Sequence, residues 1–136
     1  MKRQAIPALA VLPILALAGP LPEVNYDFPA RVKDLAVLGI EPGNPWEKED
    51  LRICSDQTVA FLYSMQERDA GKSRQQILQS KEMQSIRGIS AEVRRKVVEN
   101  VFTTHRDQHA DGQEGPNGLL NYVACRGVRY DMHRGR

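Results

Sequence analysis

The sequence predicts an all-α fold: a small bundle of four helices, or five counting an N-terminal arm, closed by one inter-helix disulfide. Apolar residues recur at helical rather than alternating spacing through the body of the chain. Ser, Gly and Pro punctuate that pattern where helices start and stop. The two cysteines of the chain, Cys54 and Cys125, fall on the apolar faces of the first and last main helices, so both point inward.

Residues 1–18 read as a cleavable signal peptide. They have a basic start at Met1-Lys2-Arg3, an apolar or small run from Ala5 to Ala18, and a small-x-small ending at Ala16-Leu17-Ala18. A membrane span needs about 20 predominantly apolar residues, whereas this run is shorter and is interrupted by Pro7 and Pro13, so no stable span is expected. Gly19 and Pro20, not a cysteine, directly follow Ala18, so lipid attachment there is not expected. The working chain is then expected to begin near Gly19 and to be periplasmic or secreted. The 19 Lys and Arg of the whole chain stand against 17 Asp and Glu. Loss of Lys2 and Arg3 with the leader balances them, which argues against a nucleic-acid partner.

Residues 19–45 form a proline-rich arm or linker that ends in the breaker Glu41-Pro42-Gly43-Asn44-Pro45. Within it, Ala30 to Leu38 reads as a short helix started by Pro29 and stopped by Gly39. The helical domain spans 46–127. Its first helix follows Trp46, which is expected to pack where the arm enters. Leu51, Cys54, Thr58, Phe61, Leu62 and Met65 fall within about 100° of arc, with Arg52, Asp56, Tyr63 and Glu67 on the other side, and the helix closes near Gly71. Ser73 and Gln76 make a capping box for a second helix, short or mobile, that carries Ile77 and Leu78. Ser90 caps a third, with Val93, Val97, Val98, Val101 and Phe102 on one face and a Glu92–Lys96 pair on the other. After a polar loop, Pro116 opens a last helix bearing Leu119, Tyr122, Val123 and Cys125, expected to end at Gly127. Residues 128–136 read as a basic, solvated C-terminal tail.

In an oxidising compartment the cysteine pair is expected to be bonded. Closing a loop of about 70 residues removes denatured-chain entropy worth about 4 kcal/mol in the loop model. A redox role finds no Cys-x-x-Cys to support it.

The polar stretches carry few residues with metal or catalytic spacing. His105 and His109, with Asp107 or Asp111, are weak metal candidates if the segment is helical. Arg106 stands where a zincin needs Glu, and Gly118 where a calcium loop needs its bidentate Glu. Gly71-Lys72-Ser73 lacks the earlier glycine and preceding strand of a phosphate loop. His105-Arg106-Asp107 lacks the rest of a kinase. Asp56, Glu67 and Asp69 read as a solvated face rather than a glycosidase pair. No catalytic residue, metal or other cofactor is therefore assigned.

The frame of Cys54, Ala60, Met65, Arg68-Asp69-Ala70-Gly71, Val97-Val98-Glu99-Asn100-Val101-Phe102 and Tyr122-Val123-Ala124-Cys125 resembles small exported bacterial helical proteins of uncharacterised role, with one cysteine near each end of the domain. The resemblance covers about residues 50–127, is one of spacing, and implies no functional residue. The architecture is also similar to that of small periplasmic acid-stress chaperones. The expected function is that of an exported, non-enzymatic binding or accessory protein of the bacterial envelope with a protein partner, and the alternative is a periplasmic stress-protection chaperone.

Overall fold

The computed structural model describes residues 19–22, 32–110 and 115–135, with side chains described from Leu35 onward in the first helix. The signal peptide, the Pro29 helix start and Asp111 lie outside the described residues. Among those described there are six helices and no strand: α1 (Val32–Val37), α2 (Glu47–Asp69), α3 (Arg74–Gln79), α4 (Lys81–Ser85), α5 (Ala91–Phe102) and α6 (Pro116–His133). The all-α expectation holds, and the expected count of four or five is exceeded.

Helix α2 is the axis around which the others pack. Its 23 residues extend about 34 Å at the usual rise. Along one side lies the main core, where Val59 to Met65 meet Ile77 of α3, Met83 of α4, Ile86, Ile89, and Val97, Val98 and Val101 of α5. Along the other lies α6, antiparallel. Wrapped from both sides, α2 does not keep the polar face its sequence suggests: Tyr63 is fully buried and Glu67 is 3% exposed. The helix ends in a Schellman turn, with Lys72 N–H donating to the Glu67 carbonyl and Gly71 N–H to that of Arg68. Gly71, at φ +92°, supplies the left-handed residue such a turn requires.

The short helices depend on their caps. The Ser73–Gln76 box is present in both directions at α3. Ser80 Oγ accepts from Met83 N–H and opens α4, an element not anticipated, within a stretch whose one apolar anchor is Met83. Ser90 caps α5 through Val93 N–H. Below about 12 residues a helix is marginal in water, so these caps and the burial of Ile77 and Met83 hold what propensity would not.

Two expectations at the chain's ends need correction. Helix α6 does not stop at Gly127 but runs to His133, and residues 128–133 are structural rather than a solvated tail. Tyr130 is buried with Leu35 and Ile40 of the arm, and Trp46 packs against that cluster. Gly127 lies under Leu38, whose Cδ1 would stand at an ordinary contact distance of 3.4 Å from a Cβ there, so it is a position within the helix facing the arm rather than a stop. Helix α1 closes at Gly39 as expected, in a second Schellman turn with Ile40 N–H on the Leu35 carbonyl. The same two side chains supply the apolar contact that accompanies this motif. The arm is thus docked from Leu35 to Trp46.

Truncation after Gly127 deletes Arg129, Tyr130 and His133, and leaves Asp50, 2% exposed, without its two basic partners. We expect a loss of about 3–5 kcal/mol, the usual cost of stranding a buried charge, read as a lower urea midpoint. An unchanged midpoint would show that these residues carry no stability.

Candidate functional site

The α2–α6 seam is built on a four-residue step running in opposite directions on the two helices. Asp50 meets Arg129, Cys54 meets Cys125, and Thr58 meets Asn121. The cysteine sulfurs lie 2.07 Å apart, at bonding distance, with Cα atoms separated by 5.6 Å. Asp50 Oδ1 accepts from Arg129 Nε at 2.6 Å and stands 3.0 Å from His133 Nε2. The His133 ring is stacked on Trp46, with centroids 4.7 Å apart and planes 7° from parallel. The Thr58 hydroxyl donates to the Cys54 carbonyl at 2.8 Å and lies 3.2 Å from the Asn121 side-chain oxygen. Burial pushes the Tyr122 phenol above its ordinary pKa against the opposing pull of Arg126, whose Nη1 donates to it at 2.8 Å.

Beside this seam opens a groove of about 640 Å³. Its floor is Ile53, Gln57 and Cys125, one wall is Ile89 and Val93 at the start of α5, and the other is Ala124, Val128 and Met132 of α6. It exists because α5 and α6 both pack on α2 and not on one another at this end. Gly88 lets the segment before α5 sit down on α2, since a Cβ there would stand 2.0 Å from Asp56 Oδ2. The α6 wall is exposed: Val128 retains 60% and Met132 66% of its surface, as does Leu120 two turns earlier on the same stripe. Glu92, Lys96, Arg129 and Asn121 stand among its polar lining.

The weak metal candidates do not converge. Residues 103–107 form turns rather than a helix. His105 Nδ1 faces Gln108 Oε1 at 2.8 Å and its ring edge meets Phe61. His109 Nδ1 faces Asp69 Oδ2 at 3.2 Å, and Asp107 points into solvent beside Arg106. Among the described residues no group of three His, Cys, Asp or Glu stands together. The expected acidic face is also divided. Glu67 is buried, Asp69 is paired with Arg68 and His109, and Asp56 lies under Gly88. Arg68 explains the loop geometry, as its guanidinium donates to the carbonyls of Val101, His105 and Gln108.

No described helix is long and apolar enough to cross a membrane. No family model, no curated protein and no solved structure matches the chain. The groove and the exposed stripe were not legible in the sequence. Leu120, Ala124, Val128 and Met132 do recur every four residues, but the expected end at Gly127 divided that signal.

Burial pushes the Asp69 carboxyl up, but hydrogen bonds and charge from Arg68 and His109 hold it below the ordinary carboxylate range. A depressed carboxylate stabilises the fold fully above its unfolded pKa and loses that contribution as pH falls through the lower folded value. An Asp69→Asn variant should therefore melt below the parent at pH 5, with the gap closing as pH is lowered from about 4 toward 2. A gap independent of pH would contradict this account.

Proposed function

We propose that this chain is an exported, non-enzymatic binding or accessory protein of a bacterial envelope, periplasmic or secreted, and that its groove receives an apolar-faced helix of a partner protein. The observation that carries this reading is the groove itself, an apolar channel with exposed Val128 and Met132 beside the Cys54–Cys125 floor. Contiguous exposed apolar surface rimmed by polar groups marks interaction sites.

The rim argues for what enters. Lys96 Nζ is already paired with Glu92 at 3.4 Å, and Arg129 is committed to Asp50. The rim therefore offers no free charge of one sign to select an anion or a cation. A helix with an apolar stripe and mixed flanking charges complements both the walls and the rim, and helix-in-groove binding reads such anchors at helical spacing. The stripe from Leu120 to Met132 runs about 18 Å along α6, matching a partner helix of about three turns.

Export and partner are tested separately. Intact mass of the protein from its native compartment should show loss of residues 1–18 and two hydrogens fewer than the reduced chain; a full-length reduced species there would reject export. For the groove, a photoreactive side chain is placed in turn at Val128, Met132 and, as an exposed control away from the groove, Val37. We expect one discrete adduct from the two groove positions and none from Val37, with a partner peptide in the adduct that is helical and apolar on one face. An adduct of twice the chain mass would replace the partner by a second copy. Many adducts from all three positions at low pH would instead favour the stress-chaperone role.

A further inference from the structure

Residues 19–22 lie against the C-terminal half of α2 rather than away from the bundle. Leu21 packs on the main core, and Gln66 Nε2 donates to the Pro20 carbonyl at 3.3 Å. Gly19 is closer still. A Cβ built on it would stand 2.1 Å from Gln66 Nε2 and 3.2 Å from Glu67 Oε2. The Gly19 nitrogen is about 2.5 Å from that Cβ position by covalent geometry.

Glu67 is the carboxylate at this point, and it is poorly served. It is 3% exposed, yet among the described residues its charged partner is Lys72 Nζ at 3.7 Å, and its side-chain hydrogen bond is a long 3.4 Å contact from Gln66. The other titratable groups facing it are Tyr63, one turn back on α2, and Glu82 of α4, whose Oε1 holds the Tyr63 hydroxyl at 3.3 Å. Tyr63, its pKa raised by burial, is neutral, so Glu82 alone adds to the negative charge here. A buried carboxylate without a close, fully hydrogen-bonded cation is costly, and a cation delivered at Gly19 would answer it.

We propose that Glu67 is the receptor for the mature N-terminus: cleavage after Ala18 frees a Gly19 ammonium that pairs with the Glu67 carboxylate and locks residues 19–22 onto α2. This rests on the export reading above. Hydrolysis of the Ala18–Gly19 bond consumes one water, leaving a carboxylate on Ala18 and an amine on Gly19 that takes up a proton at neutral pH. Glycine suits the first position because any side chain would displace Gln66, and because its backbone turns freely enough to aim the ammonium. Processing then does more than remove the leader, since the residue it exposes completes the fold.

The test uses mature chains made with Gly19 as first residue by site-specific cleavage of a fusion, so it does not depend on where the cell cuts. Each is compared with the same chain carrying one additional Ala18 and with the Gly19-acetylated form, in the parent and in Glu67→Gln. In the parent at pH 7 the free-Gly19 chain should melt about 4 °C above the other two, the scale of one modest ion pair in a domain of this size. In Glu67→Gln the three should melt together. An ammonium that gains a partner has a raised pKa. Its contribution is complete below the unfolded value of about 8 and is lost as pH rises through the folded one, so the gap should close at alkaline pH. Should Glu67→Gln fail to fold, the acylation rate of the α-amino group is the second readout: about tenfold slower in the folded chain than in a peptide of residues 19–22, corresponding to one pK unit. Equal melting of free and blocked chains, or an unprotected amine, overturns the proposal while leaving export to the mass measurement.

Discussion

The antiparallel register of α2 against α6 is the constraint on which the rest of the structure depends. The disulfide sits midway along the seam, with a buried ion pair one turn to one side and the Thr58–Asn121 contact one turn to the other. One covalent bond therefore sets the register of both polar contacts. A one-turn slip would carry Asp50 away from Arg129 and leave a buried carboxylate unpaired, which costs several kcal/mol. Charge placement agrees with the covalent choice, because Asp50 lies in the first turn of α2, where a negative charge complements the helix dipole.

With that register fixed, the flank of α2 away from α6 is free to organise three short helices that have little stability of their own. Arginines tie them down through carbonyl oxygens and carboxylates. Arg94 reaches the Ile86 carbonyl at 2.6 Å, Arg74 reaches Glu99 at 2.7 Å while lying over the Phe102 ring, and Arg68 gathers the end of α5 and its following turns. These arginines thus act as fasteners between elements, while others such as Lys96 and Arg106 stay exposed.

What the sequence made legible was local. Caps and stops depend on a few neighbouring residues, so Ser73, Ser90, Gly39, Gly71 and Pro116 marked element boundaries correctly. What it hid depended on partners distant in sequence. Gly127 looks like a stop until Leu38 is seen resting on it. Tyr63 and Glu67 look solvent-facing until α3, α4 and residues 19–22 close over them. Ser80 opens a helix that only the burial of Met83 sustains. The groove is the extreme case, since it is defined by two helices failing to meet, and no residue in either encodes that by itself.

The same packing explains why the groove is suited to binding. Its α6 wall is held by the disulfide at Cys125 and by Tyr130 against the arm, and its α5 wall by the Ser90 cap and Arg94. Walls fixed independently of the ligand lose little freedom when it arrives, and it is such ordering costs, more than buried area, that separate weak from tight complexes of equal size. The apolar residues left exposed on α6 cost the isolated domain hydrophobic stabilisation that closing α5 onto α6 would recover. Val93 and Val128 line opposite walls, but the disulfide and the Gly88–Asp56 contact anchor both helices to α2 and prevent that collapse. Under the proposed function, a partner helix seated between the two fixed walls would recover that burial.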